Sequence, residues 1–140
     1  MVALDHAFST GKPAGYNLDA VLDLDRIIPC VEGGKVLERE SEDLAKAEIK
    51  VKMGAMSMTF NGTVEVASKD DSSAVLRVKS KDTGGSGYAN ADVRFDIADG
   101  GGTIHTEAKI SGKAASMGEG VVATVLDALI KDFTTKLATI

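Results

Sequence analysis

The residues of this chain best equipped for chemistry are two histidines, one cysteine and a methionine-rich run. His6 stands on the apolar parity of an alternating segment, where an imidazole facing a pocket could hydrogen-bond a quinone or carbonyl oxygen. The competing reading is a core histidine satisfied by a neighbouring carbonyl. His105 falls on a polar parity and reads as solvated. A reactive thiolate needs a cationic partner or a helix N-terminus; neither histidine is close to Cys30 in sequence, so Cys30 is expected to pack as a small hydrophobe. Two histidines and one cysteine, without CxxC or HxxxH spacing, are too few for a transition-metal site. No metal and no cofactor are expected. Met53, Met56, Met58 and Phe60 fit either the flexible wall of an apolar pocket or ordinary core filling. Gly84, Gly85 and Gly87 lack the strand-loop-helix context and the following Lys-Ser/Thr of a phosphate cradle, and read as a hairpin. Asp70-Asp71 and Asp99 belong to turns and need no catalytic role.

Composition narrows the field. At 140 residues the chain has the usual size of one domain. Sixteen Lys and Arg are scattered among twenty-one Asp and Glu, for a net charge of −5. Without a clustered cationic face, nucleic acid is excluded as a partner. A lone cysteine forms no internal disulfide, the first residues lack the cationic start and apolar run of a signal peptide, and no segment approaches the roughly twenty apolar residues of a membrane span. The expected address is the cytoplasm.

The elements that must position these residues follow from periodicity. Residues Val2 to Ser9 alternate as a half-buried strand, with Val2, Leu4, His6 and Phe8 on one face. Gly11-Lys12-Pro13 breaks that pattern. Tyr16, Ala20 and Val21, then Leu24, Ile27 and Ile28, carry helical spacing through two short helices, which Pro29 and Gly33-Gly34 end. From Lys35 the period is two. Strands are predicted over Val36–Glu40, Leu44–Val51, Ser57–Ser68, Ala74–Ser80, Gly87–Ala98 and Thr103–Ser111. Turns are predicted at Ser41-Glu42-Asp43, Met53-Gly54-Ala55, Lys69 to Ser72, Thr83 to Ser86 and Asp99 to Gly102. Short links make consecutive strands antiparallel neighbours. Val122, Leu126, Leu129, Phe133, Leu137 and Ile140 recur at steps of three and four, so a long helix is predicted from about Ala114 to Ile140. A helix with one broad apolar face needs a sheet to lie against. The fold class is therefore α+β: a curved antiparallel sheet of about seven strands wrapped on a long C-terminal helix, the helix-grip arrangement.

Four runs in order sharpen this. Leu22–Gly33 is similar to the L-x-D-x-x-x-x-x-x-C-x-P-G stretch of the carbon monoxide dehydrogenase CoxG family, with Pro29 ahead of Cys30 and Glu32 in place of the usual proline. Ile49–Gly62 resembles the family's V-K-V-G-P-V-x-x-x-F-x-G element, with Ala55 for proline. Gly85–Ala91 resembles its G-x-G-x-A-x-A, and Ser111–Gly118 its G-K-L-A-x-x-G start to the last helix, with Phe133 and Leu137 matching the close. The resemblance implies a single START-like domain over residues 1–140, in the polyketide-cyclase-like (SRPBCC) superfamily of hydrophobic ligand binders. Family members are encoded with molybdenum-containing carbon monoxide dehydrogenases and related hydroxylases, and some are proposed to bind quinone or to tie the enzyme to the membrane. A hydrophobic small molecule (quinone or lipid), a molybdenum hydroxylase and a peripheral membrane contact are the partners this implies. Longer members carry a C-terminal extension thought to contact the membrane, and this chain stops at Ile140.

The expected function is non-enzymatic binding of a quinone- or lipid-like ligand in an internal cavity. His6, Met58, Phe60, Val93, Phe95, Val122, Leu126 and Phe133 are its predicted wall. An enzyme of the cyclase or aromatase sort would need convergent acid and base groups. The candidates are His6, Thr106, Tyr16 and Tyr88, and no two are paired by spacing. A structural adaptor with a filled interior is the third reading.

Overall fold

A computed structural model describes residues 1–140 except Gly54 and Ser86, and except the side chain of Met53. The predicted turns through Gly54 and Ser86, and the reading of Met53 as a pocket residue, lie in those respects outside the described residues. Strand β1 spans Val2–Ser9, followed by helices α1 (Ala14–Leu22) and α2 (Leu24–Ile27) and a 3-10 turn at Ile28–Cys30. Strands β2 (Gly34–Ser41), β3 (Leu44–Met53), β4 (Met56–Lys69), β5 (Ser73–Asp82), β6 (Tyr88–Ala98) and β7 (Gly101–Ile110) come next. A second 3-10 turn, Ala115–Met117, leads into α3, Glu119–Leu137.

The strands form one antiparallel sheet in the order β1-β7-β6-β5-β4-β3-β2. From β2 to β7 each strand pairs with the next in sequence, as short connections require, and β1 returns to pair with β7. The outward face carries cross-strand ion pairs in register: Arg77 lies between Glu65 and Asp92, its Nε 2.9 Å from the Asp92 carboxylate. Such exposed pairs contribute about 0–1 kcal/mol each and serve mainly to mark the wet side. His105 is more than solvated. Its Nδ1 lies 2.6 Å from Asp5 Oδ1 across the β1–β7 ladder, and this hydrogen bond raises its pKa. A raised folded value means the pair's contribution is present below the ordinary histidine range and is lost as pH rises through the folded value.

The last helix begins later than its apolar period predicts. Gly118 adopts φ +95°, a conformation that L side chains rarely take, so the chain turns there and the helix starts at Glu119 rather than near Ala114. Pro29 does not follow the short helices but sits inside the first 3-10 turn, where a missing N–H costs little. Asn17 anchors these helices to the sheet. Its buried amide donates to the Lys12 and Ala98 carbonyls at 3.0 and 3.1 Å and accepts from the Thr10 hydroxyl at 2.6 Å.

Candidate functional site

The site begins with side-chain size. Residues directly opposite on neighbouring strands share a face, and on the covered face one such row reads Ala47, Gly62, Ser80, Ala89 across β3 to β6. The next row reads Ala45, Val64, Val78, Ala91, Ala108. Small residues in register cannot reach the helix above them. At Gly62 even a methyl is excluded, because a Cβ there would overlap the Lys79 carbonyl oxygen.

Larger side chains close both ends. On one side Phe8, Phe95 and Phe133 stack from β1 through β6 to α3, with centroids 6.4 and 6.2 Å apart, in a cluster with Leu24, Ile27, Ile104 and Leu137. On the other, Val51, Met58, Phe60 and Ala114 form a second cluster, with Met56, Met117, Val125 and Leu129 packed on it. Between them lies a cavity of about 250 Å³ with an almost wholly apolar lining. Val64, Val78, Ala91 and Val93 belong to central strands and face the helix, yet are only half-buried because the cavity leaves their surface free.

Of the predicted wall, Phe60, Val93, Phe95, Leu126 and Phe133 line this cavity. His6, Met58 and Val122 do not. His6, with its side chain 8% exposed, packs where α3 rests on β1, and its Nε2 is 2.7 Å from Asp127 Oδ1. An ionised carboxylate only accepts, so Nε2–H donates to Asp127. Lys131 first and this histidine second hold the Asp127 carboxyl below the usual carboxylate range. Met58 is taken up in the second cluster, which resolves its role as core filling. Val122 is buried one turn before Val125, the first helix residue of the lining, and so lies past the cavity's end.

Sequence reasoning missed the residues that make the space: Ala47, Gly62, Ala89, Ala91 and Ala108. Their signal was small size at inward parity, and it becomes visible only when the strand register puts them side by side.

The polar inventory is short. Ser80, in the lining, donates its hydroxyl to the Ala89 carbonyl at 2.6 Å. Thr106, 5% exposed and also in the lining, has a buried hydroxyl without a hydrogen-bond partner among the described residues. Such a group costs about 1–3 kcal/mol while it stays unpaired. Glu48, Thr63 and Asn90 border the cavity but occupy the outward parity of their strands. Tyr16 is engaged elsewhere, its hydroxyl accepting from Arg26 at 3.0 Å and lying 3.0 Å from the Ile140 carbonyl. The Arg26 hydrogen bond, then that from Lys12, lowers its pKa. Tyr88 is absent from the lining. Cys30 points its thiol at the Arg26 carbonyl, and burial raises its pKa, which opposes nucleophilic use. Among the described residues no three His, Cys, Asp or Glu side chains gather as a metal site, and no helix is long and apolar enough to cross a membrane.

Residues 7–140 match the CoxG family, described as a subunit family of carbon monoxide dehydrogenase. A comparison with curated proteins found no match. Among solved structures, a conserved protein from Geobacillus kaustophilus is 24% identical with a TM-score of 0.75, over 97% of this chain and 90% of that one. An aromatase/cyclase from Streptomyces is 13% identical with a TM-score of 0.60, over 98% and 91% of the two chains. A START superfamily protein from Mycobacterium smegmatis is 9% identical with a TM-score of 0.62, over 97% and 94%. At these identities the likeness is one of fold: the curved sheet gripping a C-terminal helix is the START-like, helix-grip architecture.

Proposed function

The chain belongs to the carbon monoxide dehydrogenase CoxG family, and from that premise we propose that it is a non-enzymatic binder of a hydrophobic, quinone- or lipid-like molecule and serves as an accessory of a carbon monoxide dehydrogenase or related molybdenum hydroxylase. The observation that carries this reading is the apolar cavity of about 250 Å³ between helix and sheet. Apolar burial supplies the affinity, at roughly 25 cal/mol for each Å² removed from water. Size bears on the ligand. A cavity of about 150 Å³ in another protein accepts benzene, so this one suits a headgroup of one or two rings, and a longer tail would have to leave through the opening. Phe60, Val93, Phe95, Leu126 and Phe133 are the wall against which the rings would pack. The cyclase-like reading lacks support from the lining: His6, Tyr16 and Tyr88 are outside it, and Thr106 stands without a titratable neighbour in it.

Solvent extraction of the protein purified from its own cells, followed by mass spectrometry, tests the ligand. The expected result is one lipophilic species near equimolar ratio, and tagged chain recovered together with molybdenum hydroxylase components would support the accessory role. Extracts identical to those of an unrelated protein, together with failure to bind any added quinone, would overturn the ligand reading.

A further inference from the structure

The cavity wall carries one unspent hydrogen-bond donor, and its position restricts what the cavity can hold. Thr106 sits on β7 directly between Val93 and Leu4 in the ladder, with Ile104 and Ala108 as its same-face neighbours along the strand. A valine would fill the same volume in these apolar surroundings, so packing gives no reason for the hydroxyl. The other buried polar side chain of the lining does not share its condition, since Ser80 is bonded to the Ala89 carbonyl. An unpartnered polar atom also occurs at His6 Nδ1, which is not part of the lining.

Resting on the reading of the cavity as a ligand site, we infer that Thr106 is its specificity-determining contact and that the ligand is a cyclic ketone or quinone whose carbonyl oxygen accepts the Thr106 hydroxyl hydrogen. The count of donors decides between oxygen types. A carbonyl accepts and brings no hydrogen of its own, so it satisfies the hydroxyl and leaves nothing unmatched. A ligand hydroxyl paired with Thr106 leaves one of two hydrogens without an acceptor in an otherwise apolar wall. The carbonyl therefore points to β7, and the apolar ring lies over the rows of Ala91, Ala108, Gly62 and Ala89.

The test compares 2,3-dimethyl-1,4-naphthoquinone with 2,3-dimethylnaphthalene by equilibrium dialysis against the wild type, Thr106→Val and Thr106→Ser. Methyl groups on both quinone ring carbons prevent addition of the Cys30 thiol. The wild type is expected to take up both, and Thr106→Val to lose about five- to tenfold in affinity for the quinone, the worth of one hydrogen bond, while binding the hydrocarbon at least as tightly. Thr106→Ser, which restores the hydroxyl, is expected to recover the preference for the quinone. If Thr106→Val fails to fold, Thr106→Ala supplies the same ratio. An unchanged quinone-to-hydrocarbon ratio in a variant that binds both overturns the role of Thr106 alone. Uptake of neither probe by the wild type overturns the ligand site itself.

Discussion

Phe133→Ala is expected to destabilise the protein by about 3–5 kcal/mol, the usual cost of deleting a large ring from a packed core, while Leu126→Ala costs about 2 kcal/mol or less. The two residues are seven positions apart on α3, line the same cavity and would look alike on a helical wheel. Their surroundings differ. Phe133 is buried against Phe95 and belongs to the cluster with Phe8, Leu24 and Ile104. Leu126 is half-buried and borders open space, so it has fewer partners to lose. The order of affinities should be separate from the order of stabilities: Leu126→Ala removes a wall contact and lowers affinity for a two-ring quinone by about five- to tenfold at roughly 0.8 kcal/mol for each buried methylene equivalent. Denaturant melts and quinone titrations on both variants make the comparison. Equal, large destabilisation by both would mean that the space is filled and that the protein is an adaptor without a ligand.

Ala91→Leu is expected to abolish uptake while leaving the fold intact. Ala91 lies on β6 between Val78 and Ala108, and all three line the cavity. Three added carbon atoms would occupy the volume a ring needs, and the loss of quinone affinity should exceed tenfold, equivalent to about 1.4 kcal/mol. Because the carbons enter space that is open in the parent, stability should hold or rise by about 0.5–2 kcal/mol. Thermal melts beside dialysis show whether both halves occur. A marked fall in stability with binding retained would place the ligand, or the space, elsewhere.

These variants also show how far the residues could be read without coordinates. The strands were legible because their covered side meets a core and their outer side meets water, so Val93, Phe95 and Ile97 alternate with Asp92, Arg94 and Asp96. The helix was legible in its apolar stripe but not in its start, which a single backbone angle at Gly118 decides. The site was half legible. Parity finds every inward residue, but it does not separate those that line a gap from those that plug it. Met58 and Phe60 are two residues apart on one face; Phe60 reaches the cavity while Met58 is covered by Ala114 and its neighbours, from a segment more than fifty residues further on. His6 likewise meets Asp127, 121 residues away, and is held at the helix-sheet joint rather than the cavity. Nor is an alanine a conspicuous residue. Only the register that lines up Ala47, Gly62, Ser80 and Ala89 turns four small side chains into one open row.

The central claim is that an apolar ring system binds between α3 and the sheet, and nuclear Overhauser contacts from the methyl groups of bound 2,3-dimethyl-1,4-naphthoquinone test it most directly. The predicted result is a set of contacts to the methyls of Val93, Ala91 and Ala108 on the sheet and to Leu126 and Leu129 on the helix, in one complex. Contacts confined to the outward face, such as Val75 or Leu37, or none at all at saturating quinone, would contradict it.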